Sequence, residues 1–450
     1  MLGKRDINQR VMLSIDDNEA EIVHALDRLR GGKAEPVRQA ADQLSRLLDR
    51  RECPHWQHST EVVVHLGGVD SMLQLLFKKI SVLSVLMALQ RLMWHPDARR
   101  ALVRSNNGRC FELLISYMDC IEVYELDKRV TPNLNELSGQ HTMQQSDIQR
   151  VAGWILAELA TDHGAQILLQ NCLKAIFLAA ERNGPEAKAT AAWACALLSA
   201  KCDHALPLLK HNAVRMALQI AFESKGVSRQ HAVFSLANLA AQTWLHKMLV
   251  ENVDLVGKVM DMLLDAAAEL DDATKRQALR VLSNMALSAE NAGRILELDP
   301  EKQLLKMLHC STPDIQRQVL RLVVNISSKK KLAREVVTRT DVSALASLLN
   351  SAQMEIQQDA VRALCNILDS SAAEEALDAA QLAEVLPRLV ALVGHDGASP
   401  EVQRIASMAL SNVSCHQNRV AVIGLGGLKA LIDAHRTSAC EEVCEASGAA

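Results

Sequence analysis

Residues 229–240 place their apolar side chains at the period of an α-helix rather than that of a strand. At 100° per residue, one arc holds Ala232, Val233, Leu236 and Leu239, and the opposite side holds Gln230, Phe234 and Asn238. The segment therefore predicts a helix with one face in a core and the other presented outward.

The same pattern recurs nine times when Asn238 is taken as the reference position. The nine reference positions are Arg46, Arg91, Glu158, Leu197, Asn238, Asn284, Asn325, Asn366 and Asn412. The residues two before and one after each of them are apolar in every copy, and the residue six before is Ala or Val. The intervals are 39 to 46 residues, except one of 67, which indicates a repeat of two or three helices with one insertion.

The segments SLANLA, VLSNMA, LVVNIS, ALCNIL and ALSNVS around the asparagines resemble the third helix of armadillo repeats. The resemblance implies an all-α fold, an armadillo-type right-handed α-α superhelix (solenoid) of about nine repeats. We expect this solenoid over residues 19–436, with an inserted loop at about 119–148. Residues 1–18 are predicted to form a flexible or capping tail and residues 437–450 a flexible one.

In armadillo proteins, asparagines at the reference position form a ladder that holds the backbone of an extended partner peptide in the concave groove. The resemblance implies this role for Asn238, Asn284, Asn325, Asn366 and Asn412. Two flanking positions, four and eight residues earlier, would supply selectivity. The candidate partner-binding residues there are Phe234, Arg280, Arg321, Arg362, Arg276, Arg317 and Arg404. These two columns contain six arginines and no acid, so the sequence favours an acidic partner segment.

Two other functions stay open. Nuclear-import adaptors of the importin-α type use the same ladder, with Trp four residues before Asn, to bind basic cargo. Trp154 and Trp193 occupy that column here, but Glu158 and Leu197 stand where the asparagines would be. A structural subunit of a large intracellular or cytoskeletal assembly would fit the same fold.

Composition narrows the class of protein further. The net charge of −4 and the pI of about 6.4 argue against attraction of the whole molecule to nucleic acid or an anionic membrane. Eleven scattered cysteines, the lack of a signal-peptide pattern and the lack of long apolar runs favour a cytoplasmic protein, with the nucleus and the cytoskeleton as further locations.

No motif for catalysis or a cofactor stands out. The sequence contains no Walker-type loop, GxSxG or HExxH, and its candidate acids and bases are dispersed. Cys53, His55, His58 and His65 have ligand-type chemistry, but no second pair stands at zinc-finger spacing. We therefore predict a non-enzymatic protein without cofactor or metal.

Overall fold

The computed structural model describes residues 15–119, 137–169, 171–182, 184–265, 267, 269–299, 301–310, 312–339, 342–369, 379–394, 398–414, 419–437 and 441–449. These residues form α-helices and short 3-10 turns, with no strand among them. The helices are α1 Ile15–Arg30, α2 Ala34–Leu47, α3 Trp56–His65, α4 Gly68–Phe77, α5 Val82–Leu92, α6 Pro96–Arg104, α7 Cys110–Asp119, α8 Leu137–Leu169, α9 Cys172–Arg182, α10 Pro185–Ser199, α11 Ala205–Lys210, α12 Ala213–Glu223, α13 Gly226–Ala240, α14 His246–Val253, α15 Leu255–Leu264, α16 Asp272–Met285, α17 Ala289–Leu298, α18 Gln303–Lys306, α19 Pro313–Ser327, α20 Lys330–Arg339, α21 Val342–Leu348, α22 Met354–Leu368, α23 Ala379–Val393, α24 Pro400–Ser414, α25 Arg419–Gly424, α26 Gly427–Thr437 and α27 Glu441–Ala449. The predicted all-α repeat fold is confirmed.

Each reference position lies in a long third helix of a repeat. These third helices are α2, α5, α8, α10, α13, α16, α19, α22 and α24. Three of them begin at the prolines that predicted their starts, Pro185, Pro313 and Pro400, because proline lacks the amide hydrogen that the first turn of a helix leaves unbonded.

The three apolar columns form the core. Every one of their residues is at most 8 % exposed, and all nine residues six before the reference position are 0 % exposed. Small side chains there let neighbouring third helices approach closely. The chain divides into two compact units, residues 1–235 and 236–450. In the first unit α2 packs on α5, α5 on α8 and α8 on α10; in the second, α16, α19, α22 and α24 pack in sequence.

The boundaries predicted for the first tail and the insertion need correction. Residues 1–14 lie outside the described residues, but α1 already begins at Ile15. Residues 120–136 of the predicted loop also lie outside them, whereas residues 137–148 belong to α8. The helix extends through this polar stretch because Met and Gln favour helix even without an apolar face, and because its continuation is packed from Ile148 onward.

The predicted flexible tail at 437–450 is wrong for residues 441–449, which form α27. Val443 and Ser447 are one helical turn apart and both are buried, at 0 % and 6 % exposure. The helix packs on α24 and α26, in the place where another third helix would continue the stack. Its short apolar stripe escaped detection because a nine-residue helix shows too few turns to establish a period.

Candidate partner-binding face

The reference asparagines of the second unit are half-buried and connect successive repeats. Each carboxamide donates from Nδ2 to the backbone carbonyl of the residue just before the preceding reference asparagine. The bonds run from Asn284 to Ala237 (3.1 Å), from Asn325 to Ser283 (2.7 Å), from Asn366 to Val324 (3.2 Å) and from Asn412 to Cys365 (3.4 Å). The ladder is thus an inter-repeat hydrogen-bond series before any partner arrives.

These four bonds differ in what they satisfy. The carbonyls of Val324 and Cys365 also accept backbone amides, at 3.0 and 2.9 Å. At the end of α16 the amide of Leu287 bonds instead to the Asn284 carbonyl at 3.2 Å. The carboxamide of Asn325 therefore supplies the donor that the Ser283 carbonyl needs at a helix terminus.

A carboxamide offers two N–H donors and an oxygen with two lone pairs. The inter-repeat bond uses one of those donors, so an N–H and the Oδ1 atom remain in each of Asn284, Asn325 and Asn366 for a partner backbone. The side chains hold the repeats together and keep the polar groups that the predicted peptide ladder requires.

Arg280 lies beside this ladder on α16. Its guanidinium donates to Asn238 Oδ1 at 3.0 Å and to Gln277 Oε1 at 3.3 Å. Burial lowers the pKa of Arg280, and the positive charges of the neighbouring Arg321 and Arg276 lower it further. The predicted arginine row is therefore real, and its members are close enough to repel one another.

Acidic side chains from adjacent helices neutralise part of the row. Arg276 pairs with Asp314 at 3.1 Å, and Glu401 bridges Arg362 at 3.0 Å and Arg404 at 2.9 Å. The bonds from Arg404 and Arg362 lower the pKa of the Glu401 carboxyl. The sequence pattern missed these partners because Asp314 and Glu401 lie at the starts of α19 and α24, outside the two arginine columns.

Asp359 also lies against the row, 3.5 Å from Arg362. Burial raises the pKa of its carboxyl, whereas Arg362, Arg321 and Arg317 lower it. The Nε atom of Arg317 is buried without a hydrogen-bond partner, and Arg321 is exposed. Within the described second unit, the least neutralised positive charge thus lies where α16 meets α19, around Arg280, Arg317 and Arg321.

Asp369 was expected to neutralise part of this strip, but it bonds to Lys330 at 3.3 Å. Met408 is 41 % exposed, and the guanidinium of Arg404 lies 3.3 Å from its sulfur. Phe234 is half-buried on α13. The side of the strip at α22 and α24 is accordingly closer to neutral and more apolar than the side at α16 and α19.

The tryptophans of the first unit have intramolecular partners. Trp193 Nε1 donates to Glu158 Oε2 at 3.2 Å, and its ring lies 4.7 Å from that of His231. Glu158 is only 5 % exposed, and burial raises the pKa of its carboxyl. Trp154 lies 5.4 Å from Trp94 between ring centroids.

Arg50 covers the Trp94 ring at 3.9 Å. The aromatic surface predicted for basic cargo thus already holds one cation of its own chain, which is the interaction such cargo would make.

Other chemistry is sparse among the described residues. No group of three or more His, Cys, Asp and Glu side chains there is arranged to hold a metal ion. Seven of the cysteines are seen as free thiols, and burial raises the pKa of Cys195 to about 12. No described helix is long and apolar enough to cross a bilayer.

Comparison with known proteins agrees with this architecture. An Armadillo-like family model matches residues 246–382. An engineered protein of known crystal structure is similar over 95 % of this chain and 97 % of its own, with a TM-score of 0.77 and 21 % identity. A designed armadillo repeat protein, solved with a (KR)4 peptide, covers 52 % of this chain and 97 % of its own, with a TM-score of 0.45 and 23 % identity. No curated protein sequence matches the chain.

Proposed function

Since this chain is an armadillo-type repeat protein, we propose that it is a non-enzymatic scaffold that holds an extended, acidic segment of another protein. The binding surface is the ladder face, which we define as the reference asparagines from Asn284 to Asn412 with the arginine columns beside them. Such a scaffold works without cofactor or metal and inside the cell, where cysteines stay reduced.

The observation that carries the proposal is the incompletely neutralised charge beside the ladder. Arg280, Arg317 and Arg321 lie close together where α16 and α19 meet, and neighbouring positive charges lower the pKa of Arg280. Carboxylates of a bound segment would relieve this repulsion through charge-assisted hydrogen bonds. The remaining N–H and Oδ1 atoms of the asparagines would hold its backbone without reading its sequence.

The arrangement of ion pairs predicts where binding is centred. Arg362 and Arg404 already share Glu401, so a ligand carboxylate there must displace an existing partner. Arg321 needs no such exchange. We therefore expect the acidic residues of the partner to lie against α16 and α19 rather than against α24.

The test is binding of labelled peptides to the full chain, measured by fluorescence anisotropy at several salt concentrations. An extended Glu- and Asp-rich peptide should bind, and its affinity should fall as salt rises. Replacing Arg280 and Arg321 by Gln should weaken binding at least tenfold, or about 1.4 kcal/mol. That is the size expected for losing two charge-assisted contacts of roughly 0.5 to 1 kcal/mol each.

Arg362→Gln is the matched control, because this arginine shares the column but is already paired, and it should weaken binding less than threefold. The result against the proposal is an acidic peptide that does not bind, or one whose binding ignores Arg280 and Arg321. A Lys- and Arg-rich peptide that binds instead, and loses affinity on Trp154→Ala, would favour the importin-like cargo adaptor. A structural subunit would bind neither peptide at the ladder face.

A further inference from the structure

The last described repeat concentrates exposed apolar side chains. Those of α25 and α26 and the turn between them are Val420 (81 % exposed), Ile423 (52 %), Leu425 (42 %), Leu428 (51 %) and Ile432 (40 %). We call these five residues the terminal apolar face. Single exposed apolar residues are ordinary on a protein surface, whereas a concentration of them within thirteen residues of chain marks an interaction site.

A tight turn brings the two helices of this face together. Gly426 has a φ of +81°, a conformation that suits glycine. A Cβ atom on Gly427 would lie 2.6 Å from the side chain of Val422, so the absence of a side chain there allows α26 to pack closely on α25. The exposed residues of both helices thus belong to one packed unit.

The apolar stripe of α26 is separate from its buried face. Leu431 and Ala434 point into the protein, at 4 % and 7 % exposure. At 100° per residue, Leu428 and Ile432 lie on one side of that buried stripe, between it and the charged Lys429. This helix therefore presents a second apolar surface, and the first already accounts for its attachment to the fold.

The stacking order of the second unit shows what such a surface accommodates. Behind the third helices, α21 packs on α23 and α23 packs on α26. The third-helix series continues from α24 to α27, but α27 leaves Leu428 and Ile432 exposed. The terminal apolar face is thus the open end of a series in which every earlier member is covered by a Leu- and Val-rich helix.

The other described end of the repeat array lacks such a surface. In α1 to α4 the one large apolar residue that is exposed, among those described, is Val23 at 44 %. Arrays of stacked repeats need polar outer faces at their ends to stay soluble. One end meets that requirement, and the end at α25 and α26 does not.

We propose that the terminal apolar face binds an amphipathic α-helix of a partner protein, which stacks on α26 as α26 stacks on α23. The partner helix carries Leu, Ile or Val at positions i, i+3 or i+4, and i+7. The exposed charges around the face are mainly basic, with Arg419, Lys429 and Arg436 against Asp433, so the helix is flanked by acidic residues. This site is separate from the ladder face and does not depend on the proposed function.

The probe is a labelled peptide of about 18 residues with Leu at this period and Glu on the remaining face. A second peptide has the same composition, but its leucines are redistributed out of the helical period. Anisotropy with the full chain should give micromolar binding of the first peptide and at least tenfold weaker binding of the second. This difference separates docking of a helix from general adhesion to an apolar surface.

Leu428→Asp and Ile432→Asp should each weaken binding of the patterned peptide at least tenfold. Both residues are exposed, so circular dichroism should show unchanged helicity. Met354→Asp is the matched control, because Met354 is a 57 % exposed apolar residue on α22, and it should leave binding unchanged. Equal binding of the two peptides, or normal binding by Leu428→Asp, would overturn the proposal.

Light scattering on the free chain tests a second copy as the occupant. A monomer agrees with the proposal. A dimer that Leu428→Asp converts to a monomer would assign the face to self-association and would overturn it. Loss of acidic-peptide binding by the ladder-face variants has no bearing on this outcome, so the two proposals fail separately.

Discussion

Replacing Asn325 by Ala removes the strongest of the inter-repeat bonds. Its Nδ2 atom lies 2.7 Å from the Ser283 carbonyl and 3.3 Å from the Ser283 hydroxyl. Losing a net hydrogen bond costs about 0.5 to 1.5 kcal/mol, and leaving a buried carbonyl without a donor costs about 1 to 3 kcal/mol. Because Asn325 is only half-buried, water replaces part of the lost bond, so we expect a loss of about 2 kcal/mol in the free energy of unfolding.

Asn412→Ala is the matched control at the same position of another repeat. Its bond to the Cys365 carbonyl is 3.4 Å long, and that carbonyl also accepts the amide of Asp369 at 2.9 Å. Removing the carboxamide leaves no unsatisfied acceptor, so the expected cost is below about 0.5 kcal/mol. The contrast between two chemically identical substitutions isolates the role of the Ser283 carbonyl.

The assay is urea unfolding followed by circular dichroism at 222 nm. At an m-value of about 2 kcal/mol/M, the loss predicted for Asn325→Ala lowers the midpoint of the transition by about 1 M. Native-state hydrogen exchange should place the loss in α16 and α19. If Asn325→Ala and Asn412→Ala shift the midpoint equally, the reasoning from helix-end satisfaction is refuted.

Two further predictions concern packing and pH. Gly427→Ala should destabilise the chain by about 1 to 3 kcal/mol, because its Cβ would lie 2.6 Å from Val422, whereas Gly424→Ala meets nothing within 4 Å and should be neutral or slightly stabilising; thermal unfolding of the two variants tests this, and equal midpoints would contradict it. Burial lowers the pKa of His231 below its ordinary value of about 6.5. The unfolded state therefore binds the proton more readily, and stability falls as pH drops through that value. Urea midpoints at pH 7.5 and 5.5 should differ less for His231→Gln than for the wild type, and an undiminished difference would exclude His231 as a cause.

Much of the fold follows from local periodicity. The recurrence of Leu or another apolar residue beside a small residue six before the reference position predicted nine third helices, and each of those columns is buried. The prediction succeeds because a repeat hides its apolar stripe only against its neighbours, so every copy must preserve the same stripe. The arginine columns were likewise visible as a pattern, since residues four apart lie on the same side of a helix.

The neutralisation of those arginines was decided by tertiary structure. Asp314 and Glu401 approach Arg276 and Arg362 from the starts of neighbouring third helices, 38 and 39 residues away along the chain. No period within one helix encodes that approach. It depends on how far each helix is offset against the next, which side-chain packing determines.

The asparagine ladder shows the same division within a single residue. Its recurrence indicated a common role, and its place opposite the apolar arc indicated a polar one. Only the stacked repeats brought each Nδ2 to the carbonyl before the preceding reference position, as from Asn366 to Val324. A sequence specifies the hydrogen-bonding groups that a helix carries, but the partners of those groups are set by the packing of helices that are distant in the chain.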